Sequence, residues 1–240
     1  MKRWIGRFGC LFVLVCVCWV AIWLRDLSEW ARLAACRPYY VHGVAEAYAR
    51  KHEGEYPPLS GGLGEWSFDA SDEIHATDSP DFYCESDPEH RMDYESRGVS
   101  TSPDQPAIRA WSYIYLGYII ENEAQAQEFL DVYEQSHGQN KPLPDVIDAP
   151  SGMGSGNTNQ FVRLRTLDTL PLELDVIKAN ASKIPVVFEW PGHHRDPGGK
   201  VTYYDGHTEF VPYPGPFPMT ESFINRLREI RDRRTPVDTR

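Results

Sequence analysis

With 240 residues, 41% of them hydrophobic and 25% charged, the chain has enough apolar side chains for a sizeable core. Its formal net charge of −11 excludes nucleic acid as a natural partner, because phosphate contacts need a basic face. That charge is concentrated: between Glu65 and Glu95 eleven acidic residues accompany one base, Arg91, so this stretch carries −10 and the remainder is nearly neutral.

Taken in chain order, the first feature is the uncharged run Phe8 to Leu24, FGCLFVLVCVCWVAIWL. At about 1.5 Å rise per residue, a helix of this length approaches the roughly 30 Å hydrocarbon thickness of a bilayer. Lys2, Arg3 and Arg7 precede it without an acid, whereas Arg25, Asp26 and Glu29 follow with mixed sign. The positive-inside rule then predicts a cytoplasmic N-terminus and an extracytoplasmic body, with Trp19 and Trp23 near the outer interface. Trp23-Leu24-Arg25 follows the run where a small-x-small cleavage site would stand, so a permanent anchor in the inner membrane is expected. Cys10, Cys16 and Cys18 lie within the run as small apolar side chains. Cys36 and Cys84 remain for the body, and the spacing leaves open whether they form one disulfide or stay as two thiols.

From Leu27 to Lys51, Trp30, Ala34, Val41, Val44 and Tyr48 recur at helical steps, which predicts a stem helix with one apolar stripe. Pro38 should kink or restart it, and Gly54 should end it before Tyr56-Pro57-Pro58. Residues 59–107 read as a solvated, loop-rich insertion punctuated by Gly and Pro. Its clustered carboxylates give calcium binding as an alternative, though without EF-hand spacing.

Trp111 to Tyr118 is aromatic and β-branched and predicts a strand, and Glu121 to Ser136 predicts a helix. Gly152-Met153-Gly154-Ser155-Gly156 lacks the Lys-Ser/Thr of a phosphate cradle and reads as a flexible loop. Phe161 to Arg165 predicts a short strand and Asp168 to Ser182 a helix. Three further strands are expected at Ile184–Trp190, Val201–Asp205 and His207–Tyr213, the last two joined by an Asp205-Gly206 hairpin. Thr220 can cap a final helix from Glu221 to about Arg233, whose Arg226, Arg228, Arg231, Arg233 and Arg234 read as its solvated side. The fold class is therefore α+β: a long N-terminal transmembrane and stem helix packed on a small antiparallel sheet. The expected divisions are 1–25 for the cytoplasmic stub and membrane helix, 26–55 for the stem and 56–110 for the acidic segment. The α+β body follows at 111–219, and the last helix and tail at 220–240.

His193, His194, Asp205 and His207 are the one cluster with chemical potential. Brought together by paired strands, they would suit zinc or a metal-held water, which gives a metal-dependent hydrolase as an alternative function. The plainer reading makes Asp205-Gly206 a turn to which a loop histidine bonds. Ser151 and Ser155 lack a histidine or elbow context, and Cys84 lacks a basic neighbour, so neither supports nucleophilic catalysis.

Two stretches carry a family resemblance. Gly54-Glu55-Tyr56-Pro57-Pro58 fits the Gly-x-Tyr/Phe-Pro-Pro turn after a pilin stem. His193-His194 followed by Gly198-Gly199 and Asp205-Gly206-His207 is similar to a His-X9-Asp-Gly motif, with Pro214-Gly215-Pro216-Phe217-Pro218 after it. Together they resemble bacterial prepilin-type, pseudopilin-like proteins. The departures are that ten residues separate His194 from Asp205, Arg195 takes the expected histidine position, and Leu14 stands where processed pilins carry Glu. The resemblance implies a non-enzymatic envelope protein, permanently anchored, with pilin-like or secretion-system subunits as partners beside the lipid bilayer.

Overall fold

A computed structural model of the chain describes residues 19–20, 38–59, 66, 68, 112–136, 143–170, 174–193 and 197–233. The membrane run apart from Trp19 and Val20, Cys36, Cys84, His194, the tail after 233 and residues 60–110 of the acidic segment apart from Trp66 and Phe68 lie outside them. Among the described residues no helix is long and apolar enough to cross a membrane.

The fold is α+β, with a small antiparallel sheet. Helix α1 spans Pro38–Lys51. Pro38 is the first of its described residues. Val41, His42, Val44, Ala45 and Ala49 form its buried stripe, so a histidine sits where the periodicity promised only apolar residues. The helix closes with the Gly54 N–H on the Ala49 carbonyl at 2.9 Å. Glu53, not glycine, takes the left-handed position before it (φ 56°), and Gly54 follows at φ 84°. A β-carbon on Gly54 would lie 2.5 Å from the Thr169 hydroxyl oxygen. Close approach to the 166–169 turn, as well as helix termination, therefore requires glycine there.

The main sheet has the order β1-β4-β5-β6, with β1 at Tyr113–Tyr115, β4 at Pro185–Glu189, β5 at Gly198–Tyr203 and β6 at Thr208–Pro212. Every pair is antiparallel, with Ile114 opposite Phe188, Phe188 opposite Val201, and Lys200 opposite Phe210. All five residues of β4 are buried, as suits a strand in the middle of a covered sheet. Helix α1 lies across β4 and β5. Helix α4 (Glu221–Asp232) is capped by Thr220, whose side chain accepts from the Phe223 N–H, and Phe223 meets Phe188 of β4. Helix α2 (Glu123–Ser136) packs against α4. The arginines of α4 are not simply solvated. Arg226 and Arg233 pair with Glu134 of α2 at 2.8 and 2.9 Å, and Arg231 lies 4.7 Å over the Trp190 ring.

A second sheet pairs β2 (Val146–Asp148) with β3 (Gln160–Val162). The strand predicted over Phe161–Arg165 is thus shorter and starts one residue earlier; beyond it Arg163 and Arg165 make isolated bridges to Tyr118 and Glu55. Phe161 projects into an aromatic cluster with Phe129, and Trp66 stacks on Tyr133 at 4.5 Å. Trp66 and Phe68 are 1% and 2% exposed, and the Tyr115 N–H donates to the Trp66 carbonyl. The start of the expected solvated insertion is thus part of the core.

Two further expectations are corrected. Of the helix predicted over Asp168–Ser182, the described residues show α3 at Asp175–Asn180, followed by a 3-10 turn at Ala181–Lys183. The first residues are held instead in a turn, with the Thr169 N–H and hydroxyl both donating to the Thr166 carbonyl. The glycine-rich loop is also structured. Buried Ser155 donates to the Ile119 carbonyl at 2.7 Å and accepts from the Val162 N–H at 3.0 Å, pinning the loop between β1 and β3.

Glu55 ties the end of α1 to this second sheet. Its carboxylate accepts from Arg163 and, at 3.1 Å, from Arg165, while Arg163 also reaches Asp145 at 3.1 Å. The Arg163 side chain is only 12% exposed, so losing its partner leaves a half-desolvated guanidinium. Glu55→Ala should lower stability by about 1–2 kcal/mol, less than a fully buried pair would because Glu55 itself is partly solvated. Asp145→Ala should cost under about 1 kcal/mol. Urea melts of both variants check the order.

Candidate functional site

The β5–β6 connection is a tight turn closed by the Gly206 N–H on the Tyr203 carbonyl, with Gly206 at φ 86°. It is longer than a two-residue Asp-Gly hairpin: four residues, Tyr204 to His207, connect β5 to β6, and the Tyr203 N–H donates to the His207 carbonyl at 2.9 Å. Asp205 Oδ1 accepts from the His207 N–H at 3.1 Å and lies 2.5 Å from His207 Nδ1. Desolvation acts to raise the Asp205 pKa, yet the His207 bonds outweigh it and hold the carboxyl below its usual value. The His207 ring stacks on Tyr203 at 4.5 Å and 5°. Every one of these contacts is internal to the turn, which is how a structural Asx turn behaves.

The expected approach of the loop histidines to this turn is not what the topology makes. His193 lies in the β4–β5 connection, and Asp205 and His207 in the β5–β6 connection. Successive turns of an antiparallel meander fall at opposite ends of the shared strand. The six residues of β5 therefore separate them by roughly 20 Å, too far for one ion. His194, beside His193, lies outside the described residues. Among the described residues no group of three or more His, Cys, Asp or Glu side chains is placed to hold a metal. Gly198 and Gly199, also in the predicted motif, serve packing. A β-carbon on Gly198 would meet the Phe210 ring at 2.7 Å, and one on Gly199 the Met219 methyl at 3.0 Å.

What the Asp205-Gly206 turn does approach is α1. A β-carbon on Gly206 would sit 4.0 Å from His42 Cε1, so this turn rests on α1 beside a buried histidine. His42 is 4% exposed, and its Nε2 lies 3.4 Å from the Tyr56 hydroxyl. Burial lowers its pKa below 6.5, against the opposing pull of Glu46 and Asp205. Tyr56 packs edge-on against Tyr204, whose hydroxyl donates to the Arg165 carbonyl, and Tyr115 donates to the Pro57 carbonyl at 2.8 Å. The Tyr-Pro-Pro turn, the Asp-Gly turn and α1 thus meet at one polar-edged seam. His42 was not singled out from the sequence, although its place beside Val41 and before Val44 sets it at the edge of the apolar stripe.

The opposite face of α1 is open. Tyr39, Tyr40, Gly43 and Arg50 are exposed, and a β-carbon on Gly43 would meet nothing within 4 Å. Comparisons with family models, with curated proteins and with solved structures each return no match.

Proposed function

We propose that the chain is a membrane-tethered, extracytoplasmic structural subunit of pseudopilin type, without catalysis, that packs on neighbouring subunits through its stem helix. The observation that carries this reading is the placement of α1 across β4 and β5, with the Asp205-Gly206 turn resting on it. The two stretches that resemble the family, the Tyr-Pro-Pro turn and the Asp-Gly hairpin, meet on the same helix. Their roles are structural: one redirects the chain after the stem, and the other clasps it. Phe8 to Leu24 would supply the tether, and the open Tyr40, Gly43 and Arg50 side of α1 the contact with partners.

Two measurements test this. Intact mass and N-terminal sequencing of the protein from its native membrane fraction should find Met1, with the protein resisting carbonate extraction. A soluble chain starting after residue 25 would remove the tether. For the packing face, Gly43→Cys should form cross-links to a neighbouring subunit in membranes, while a cysteine at exposed Lys183, far along the chain from the stem, should not. Equal labelling without cross-linking at both positions would leave the stem face unused and defeat the proposal.

A further inference from the structure

A cleft of about 210 Å³ opens between the start of α2, the 3-10 turn at Ser155–Asn157 and the end of α3, lined by Glu121, Asn122, Asn157, Asn180 and Lys183. None of these five side chains is aromatic or aliphatic. One carboxylate and one ammonium offset each other, which disfavours a strongly charged occupant. Three side-chain amides remain; Asn122 Oδ1 already accepts from the Gln125 N–H at 3.1 Å and Asn180 Nδ2 donates to Glu121, which leaves each a part of its donor and acceptor capacity.

The floor is held rigid from below. Gln125 is 1% exposed; its Oε1 accepts from the Glu121 N–H at 2.7 Å and its Nε2 donates to the Gly154 carbonyl at 3.0 Å. The Glu121 carboxylate accepts from the Gly156 N–H at 2.8 Å, from Gln125 Nε2 at 3.4 Å and from Asn180 Nδ2 at 3.3 Å. Of the roughly four lone-pair sites on a carboxylate, one is left for a ligand hydroxyl. Asn157 sits on the rim with φ 60°, directly after Gly156 at φ 61°. Two successive left-handed residues, one of them not glycine, are costly, and here they turn an amide toward the cleft edge.

We propose that this cleft binds one neutral, hydroxyl-rich sugar unit. Adjacent hydroxyls each donate and accept, and planar amide and carboxylate groups match such pairs. The volume is below that of sites for drug-sized ligands and suits a single ring. Lys183 is exposed and supplies a donor to a ring or hydroxyl oxygen. The proposal does not depend on the tethering of the chain.

Saturation-transfer NMR on the full chain in a sugar-free detergent, with glucose, galactose and N-acetylglucosamine as separate probes, tests it. At least one should show transfer and titrate with a Kd near 1 mM, in the range of weak polar sites. Asn157→Gly keeps the left-handed backbone and removes only the amide, and Lys183→Ala removes the cation. Each should weaken binding about tenfold or more while leaving the melting temperature within a degree or two of the parent. Three outcomes overturn the proposal: no transfer from any of the three sugars, transfer unchanged in both variants, or binding of inorganic phosphate in place of sugars.

Discussion

Gly154→Ala should destabilise the fold by about 3 kcal/mol or more. The reason is steric. A β-carbon at this position would lie 2.2 Å from the Gln160 carbonyl oxygen and 2.5 and 2.6 Å from its backbone carbon and nitrogen. None of those atoms can rotate away, so relief requires moving β3 or the loop. The loop has little slack, because the Gly154 N–H donates to the Thr158 carbonyl at 2.7 Å while the Gly154 carbonyl accepts from buried Gln125. Backbone torsion is not the cause: Gly154 has φ −76°, which any residue adopts. Gly152, two residues earlier, provides the control. It has φ 78° but open space around its would-be β-carbon, so Gly152→Ala should cost about 1–2 kcal/mol of left-handed strain and no clash. Urea unfolding of both variants settles the comparison. A Gly154→Ala protein within about 1 kcal/mol of the parent would mean that the loop is far softer than its hydrogen bonds imply.

That loop also marks where sequence reading stops. Its glycines signalled flexibility because glycine-rich composition carries no information about what packs above it; Ser155, Gln125 and Glu121 fix it through partners more than 25 residues away. Locally encoded features were legible. Thr220 announces the start of α4 through its own hydroxyl, and Asp205-Gly206 announces a reversal between two β-rich runs. The four central strands were visible as aromatic and β-branched runs, but their order required knowing that β1 reaches across to β4. The helix expected from Asp168 was lost to a competing local bond, the Thr169 hydroxyl to the Thr166 carbonyl, reinforced by the close approach of Gly54. His193 lies apart from Asp205 for a topological reason. Residues near in sequence on either side of a strand point to opposite ends of it, so sequence proximity of His193 and Asp205 argued for separation once β5 formed. Conversely, the seam that does form joins residue 42 to residues 56 and 206, contacts that periodicity along one helix does not encode.

Acidification below pH 6.5 should weaken the fold through His42. The folded chain keeps this imidazole 4% exposed among Val41, Val44 and the Asp205-Gly206 turn, with the Tyr56 hydroxyl 3.4 Å from Nε2. Desolvation lowers its pKa below the ordinary 6.5; Glu46 from the same helix and Asp205 from the turn pull upward by less. Above pH 6.5 the ring is neutral in both folded and unfolded chains and contributes no pH dependence. Below it, the unfolded chain binds a proton that the folded chain does not yet accept. Stability therefore falls with falling pH until the lowered folded pKa is reached. One such proton gives a slope of at most about 1.4 kcal/mol per pH unit. The chain has eight histidines, so the informative quantity is a difference. The urea-derived stability of the parent between pH 7.5 and 5 should fall more steeply than that of His42→Leu, which keeps the volume and removes the proton site. Parallel slopes would mean that His42 is reached by solvent or protonated in the folded chain, and that the seam between stem and turn is not the acid-sensitive contact.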